Sequence, residues 1–134
     1  MKIKLFSIIA SLLFFPLSVI GNLLGGLFVE IQTWLSHVFF SPHSPYYIPD
    51  EWKYPFGQIV AGILGGILAA VIIKRIYKKV DVLYAIIFPA LLMTYAFYID
   101  LTNAINNSGN WAPIGNCVRH ICTISSYYIY LKKK

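Results

Sequence analysis

Apolar residues in this chain come in long unbroken runs rather than in the short alternations of a soluble domain. The first, Leu5 to Val29, has 25 residues without a formal charge and stops at Glu30. At 1.5 Å per residue it makes about 38 Å of helix, more than the roughly 30 Å hydrocarbon core of a bilayer requires. Tyr54 to Ile73 is a second run of 20 residues, with Gln58 its only strongly polar side chain, and Val82 to Ile99 a third of 18, bracketed by Asp81 and Asp100. A fourth, Ala112 to Leu131, is again 20 residues long but carries Arg119 and His120 near its middle.

The pattern predicts an all-α, polytopic membrane protein. It is one membrane domain over residues 1–134, with four transmembrane helices at about 5–29, 54–73, 82–99 and 112–131. Composition agrees: 58% of residues are hydrophobic and only 12% charged, against about 25% charged in a typical soluble domain. A net charge of +6 could signal nucleic acid, but the bases sit in short clusters beside apolar runs and no nucleic-acid motif accompanies them, so no such partner is expected.

Charge placement sets the direction of the spans. With four crossings, Lys2, Lys4, Lys74, Arg75, Lys78, Lys79 and Lys132 to Lys134 fall on one side, which is nine of the eleven bases. Basic residues concentrate in cytoplasmic loops, so both termini are expected in the cytoplasm, in a multi-pass protein of a bacterial inner membrane. A rival reading of the N-terminus exists. Lys2 and Lys4, an apolar core, Pro16 and small Ser18 and Gly21 also resemble a signal peptide, although the apolar run continues and no A-x-A site appears.

The first outer loop, SPHSPYYIPDEWKYPF, contains Pro42, Pro45, Pro49 and Pro55 and is expected not to form regular helix. Its Tyr46, Tyr47, Trp52, Tyr54 and Phe56 suit the headgroup layer as interface anchors. Helices in lipid associate through close backbone contact and polar groups. Gly62, Gly66 and Ala70 provide one row of small residues four apart, and Gly57, Ala61, Gly65 and Ala69 another. Gly21 and Gly25 supply a third in the first span, expected to meet Gly57 and Ala61.

On a helical wheel, Asn116, Arg119, His120, Thr123, Ser126, Tyr127 and Tyr130 share an arc of about 120°. The opposite arc is apolar except for Ser125 and the Tyr128 hydroxyl. Such a helix could lie flat on the cytoplasmic surface; the charge count favours a crossing with the stripe turned inward. A crossing puts Arg119 about 4 Å from the span's centre, and Asp100 and Glu30 at the span ends, out of its reach. Its anion is then expected from outside the chain: a partner subunit, an anionic lipid or a substrate.

No nucleophile–base pair, phosphate loop or paired carboxylates appear, so catalysis, a cofactor and a metal site are not expected. Cys117 and His120 alone make too small a ligand set, and Cys122 faces away from Cys117. The expected function is an accessory or interaction subunit of a larger membrane assembly, with the bilayer and either a membrane protein or a second copy as partners. The alternatives are a small homo-oligomeric channel lined by the fourth span's stripe, and a toxin-immunity or holin-like role.

Overall fold

The computed structural model describes residues 2–107 and 112–133, with side chains for all of these except 50–53. It is a bundle of four helices: α1 (Lys2–Phe39), α2 (Asp50–Ile76), α3 (Val82–Asn106) and α4 (Ala112–Lys132). Three of them, Lys2–Phe39, Tyr54–Ile76 and Val82–Asn106, are long and apolar enough to cross a membrane. The 21 residues of α4 would reach about 32 Å, but Asn116, Arg119 and His120 keep it less apolar than the others.

The helices overrun the uncharged runs. α1 continues ten residues past Val29 and α3 seven past Ile99, so Glu30 and Asp100 lie inside helices rather than at their ends. A single charge interrupts hydropathy without interrupting the backbone hydrogen-bond ladder, which is why charge-free stretches understate helix length. The proline-rich segment also departs from expectation. α2 starts at Asp50 behind the extended Pro49, and Pro55 stands inside it. Pro55 forfeits one hydrogen bond near the helix start, a far smaller penalty than in the middle of a helix.

Packing contacts join α1 to α2, α2 to α4, α4 to α3, and α3 back to α1. α2 therefore lies between α1 and α4, and the link from α2 to α3 crosses the bundle diagonally. The buried positions of α1 are Ser7, Ala10, Ser11, Phe14, Ser18, Gly21 and Gly25. Spacings of three and four give the 3.5-residue seam of coiled-coil packing, here made of small and hydroxylated side chains. Ser7, Ser11 and Ser18 donate back to the carbonyls of Ile3, Ile8 and Phe15, at 2.8, 2.6 and 3.0 Å, so their burial leaves no hydroxyl unmet. Leucine, isoleucine and phenylalanine face outward instead: Leu5, Leu12, Phe15 and Leu23 on α1, Ile63 on α2, Leu83 and Leu91 on α3. An apolar exterior over a small-residue seam is the arrangement lipid favours, because burying leucine inside gains nothing when the solvent is hydrocarbon.

The small rows of α2 set the two tightest approaches. A Cβ on Gly25 would fall 2.5 Å from the Ala61 Cα, and one on Gly21 would fall 2.6 Å from the Gly65 Cα. The contact is thus one turn displaced from the expected pairing of Gly21–Gly25 with Gly57–Ala61, because Val29 fills the space opposite Gly57. On the other side of α2, Gly62 meets the backbone of Arg119, and Gly66 meets Thr123, Ser126 and Tyr127. Ala69 and Ala70, one from each row, are fully buried.

One half of the bundle is closed by Tyr127, whose ring meets Phe14 edge-on at 4.6 Å among Ala69, Ala70, Ile73 and Ala85. Its hydroxyl donates to the Ala85 carbonyl at 3.2 Å. Beyond this plug the bases gather. Lys74 donates to the carbonyls of Tyr130 and Lys133, Lys4 lies over the Tyr84 ring, and the Asp81 amide donates to Ser7. Lys78, Lys79 and Lys132 line the same end; Lys134 lies outside the described residues.

Gly66→Val forces a side chain into the backbone of α4 and is expected to lower stability by about 1–3 kcal/mol. Gly57→Ala meets only Val29 Cγ1 at 3.6 Å and is expected to be neutral or mildly stabilising, since alanine is the better helix former. Thermal unfolding of both variants in the same detergent measures the contrast.

Candidate functional site

The polar stripe of α4 divides between its two neighbours. Asn116, His120 and Tyr127 turn to α3, while Arg119 and Ser126 turn to α2. Thr123 is buried and donates to the Arg119 carbonyl at 2.8 Å; Ser126 donates to the Thr123 carbonyl at 3.2 Å. Tyr130, partly buried, lies under the Lys133 ammonium.

On the α3 side, Asp100 is the organiser. His120 Nε2 stands 2.8 Å from Asp100 Oδ2, and Asn116 Nδ2 donates to Oδ1 at 3.3 Å. The side chains of His120 and Asp100 are 13% and 18% exposed, so the pair is largely shielded from its surroundings. Asp100 had been expected far from the middle of α4. Because α3 continues to Asn106, its carboxylate is carried inside the bundle to the level of His120. The acid engages the histidine and not the arginine. Among the described residues no group of three His, Cys, Asp or Glu side chains is arranged to hold a metal ion; Cys117 and Cys122 are free thiols.

On the α2 side, the contact at Gly62 fixes Arg119. A Cβ there would sit 2.7 Å from the Arg119 carbonyl oxygen and 2.7 Å from Cys122 Cβ. The α4 backbone is pressed against α2, so the arginine side chain leaves sideways. It enters a cavity of about 570 Å³ between α1, α2 and α4, lined also by Asn22, Gly26, Glu30, Tyr54, Gln58 and Ala61. The small residues that let the helices approach also leave this volume unfilled. Opposite Gly26 there is nothing within 4 Å of where a Cβ would stand.

Three of the lining residues each carry a buried side-chain atom with no hydrogen-bond partner among the described residues: Arg119 Nε, Gln58 Oε1 and Asn22 Oδ1, the last packed against Gly65 at the α1–α2 contact. Glu30 has a partner of its own, and no described carboxylate comes within ion-pairing distance of the guanidinium. Near the mouth Tyr54 donates to the Ala112 carbonyl at 2.9 Å, tying the start of α2 to the start of α4. An isolated cation in a low-dielectric interior attracts an anion strongly, and unmet amide oxygens attract donors.

The aromatic residues of the first outer segment have separate places. Tyr46 is exposed beside Phe40, Tyr47 stacks on His37 at 4.6 Å, and Phe56 is exposed on α2; the Trp52 side chain lies outside the described residues. His37 Nε2 and Ser36 Oγ meet the Ile48 carbonyl and amide, folding the segment back onto α1. Comparison with family models, with curated proteins and with solved structures finds no match.

Removing one member of the Asp100–His120 pair strands the other, so the two should be energetically coupled. A double-mutant cycle of Asp100→Ala and His120→Ala, read by unfolding in detergent, is expected to give a coupling of about 0.5–3 kcal/mol.

Proposed function

We propose that this chain is a non-catalytic interaction subunit of a membrane assembly, whose binding site is the Arg119 cavity and whose ligand brings the missing anion. The observation that carries the reading is Arg119 on the lining of one cavity, with its Nε buried and unpartnered and no described carboxylate paired to it. An arginine near the centre of a membrane helix costs about 2.5–3.5 kcal/mol on insertion scales, and a helix that retains one needs an offset. Among the described residues no carboxylate pairs with Arg119: Asp100 is engaged by His120 and Asn116.

The supporting topology has all four helices crossing and both termini in the cytoplasm. Its basis is that bases from α1, α2, α4 and the α2–α3 link meet at one end of the bundle, beyond the Tyr127 plug. α4 is less apolar than the others, but α2 and α3 cover much of its polar stripe, and its exposed face is Ile114, Val118, Ile121, Ser125, Tyr128 and Ile129. Arg119 stands 13 residues, about 20 Å, from Lys132. With Lys132 at the cytoplasmic boundary, that puts the guanidinium in the outer third of the membrane.

A pore between copies, lined by the α4 stripe, fits this geometry less well. Thr123 and Tyr127 are 1% and 0% exposed inside a single chain, so two of the seven residues of the stripe are already covered.

Purification in mild detergent tests the proposal. The wild-type protein is expected to keep a bound companion, protein or lipid, and to lose thermal stability when harsher detergent strips it. Arg119→Leu is expected to keep none and to be insensitive to stripping. A companion-free wild-type chain with the same melting temperature as Arg119→Leu refutes the reading.

A further inference from the structure

We infer that the cavity between α1, α2 and α4 binds the headgroup of an anionic, hydroxylated phospholipid, with its phosphodiester on Arg119. The inference rests on the reading that Arg119 takes its anion from outside the chain, and it names the source. Three features of the cavity select it.

The first is the chemistry of the unmet atoms. Arg119 Nε needs an acceptor, whereas the amides of Gln58 and Asn22 each leave an oxygen without a donor, that of Asn22 against Gly65. A carboxylate offers acceptors only, so it can serve Arg119 and an amide NH2 but not an amide oxygen. A phosphodiester bearing hydroxyls, such as phosphatidylglycerol, offers both kinds of group together. Rotating either amide exchanges its oxygen for an NH2, which the remaining phosphate oxygens can accept, so the match survives either orientation. Arginine is also the side chain best shaped to hold a phosphate.

The second is access. Leu23 and Leu27 belong to the lining yet are 69% and 57% exposed on the outer face of α1. Gly26, between them, leaves open space where a side chain would stand. The cavity therefore opens sideways through an apolar rim, so acyl chains can remain in lipid while the headgroup enters. A soluble anion gains nothing from such a rim. The third is size, since about 570 Å³ falls within the 300–1,000 Å³ common for ligand pockets. Glu30 stands on the same lining with a partner of its own.

Native mass spectrometry of the full-length protein in detergent tests the inference, titrating phosphatidylglycerol and phosphatidylcholine, each with and without millimolar inorganic phosphate. Two variants accompany the wild type. Arg119→Gln removes the cation; Gly26→Leu fills the opening while leaving Arg119 and the lysine-rich end intact. Replacing that helical glycine is not expected to disturb the fold. Wild type is expected to retain phosphatidylglycerol at least tenfold more tightly than phosphatidylcholine and than either variant does, with no displacement by phosphate. Gly26→Leu binding phosphatidylglycerol like wild type overturns the proposal by placing the lipid elsewhere, for example at the lysines. Equal retention of the two lipids overturns it too, as does displacement by phosphate, which would make a free anion the ligand. A wild type that binds no lipid here but loses a protein companion on Arg119→Leu overturns the lipid assignment and leaves the interaction reading standing. Variants identical to wild type in lipid and protein retention overturn both.

Discussion

The structure depends on how closely two helices can approach α2. Gly65 and Ala61 let α1 come within a side chain's width on one face, and Gly62 and Gly66 let α4 do so on the next. In hydrocarbon there is little hydrophobic gain from turning leucine inward, so stability has to come from many short-range contacts between backbones and small side chains. Everything else in the bundle accommodates those approaches. The serines of α1 line the seam because they are small and can return their hydroxyls to their own helix. The large apolar residues are left for the exterior.

The same close approach divides the bundle into unlike halves. Toward the lysine-rich end, Phe14, Ile73 and Tyr127 are large enough to fill the centre, and Tyr127 satisfies its hydroxyl on α3. Toward the other end the described contacts run through Gly25, Val29, Gly57 and Ala61, which are smaller. A cavity forms there, and Arg119, Asn22 and Gln58 border it. Small residues are thus responsible both for the close contacts and for this opening. Arg119 and His120 part company at this level: His120 finds Asp100 on α3, while Arg119, one residue earlier and about 100° around the helix, faces the opening.

Much of this was legible in the linear pattern. The runs beginning at Leu5, Tyr54 and Val82 announced three long apolar helices, and the wheel of α4 showed that its polar residues share one side. The two small-residue rows of α2 were visible as i, i+4 repeats. The α1 seam is equally visible in the alternating fours and threes of Ser7, Ser11, Phe14, Ser18 and Gly21. Helix ends were less legible, because a charge such as Glu30 or Asp100 alters hydropathy without breaking a helix, and because Pro55 near a helix start is tolerated.

What the sequence determined alone is what periodicity and composition encode: which segments are helical, which faces are small or polar, and where the bases lie along the chain. These are properties of one segment at a time. The tertiary structure decided which faces meet and in what register: that Gly21 meets Gly65, that Asp100 reaches His120, and that Arg119, Asn22 and Gln58 share a cavity. Those outcomes depend on the axial offset between helices. Steric contact at a few residues sets that offset, and a shift of one turn, 5.4 Å, changes which side chains stand opposite each other.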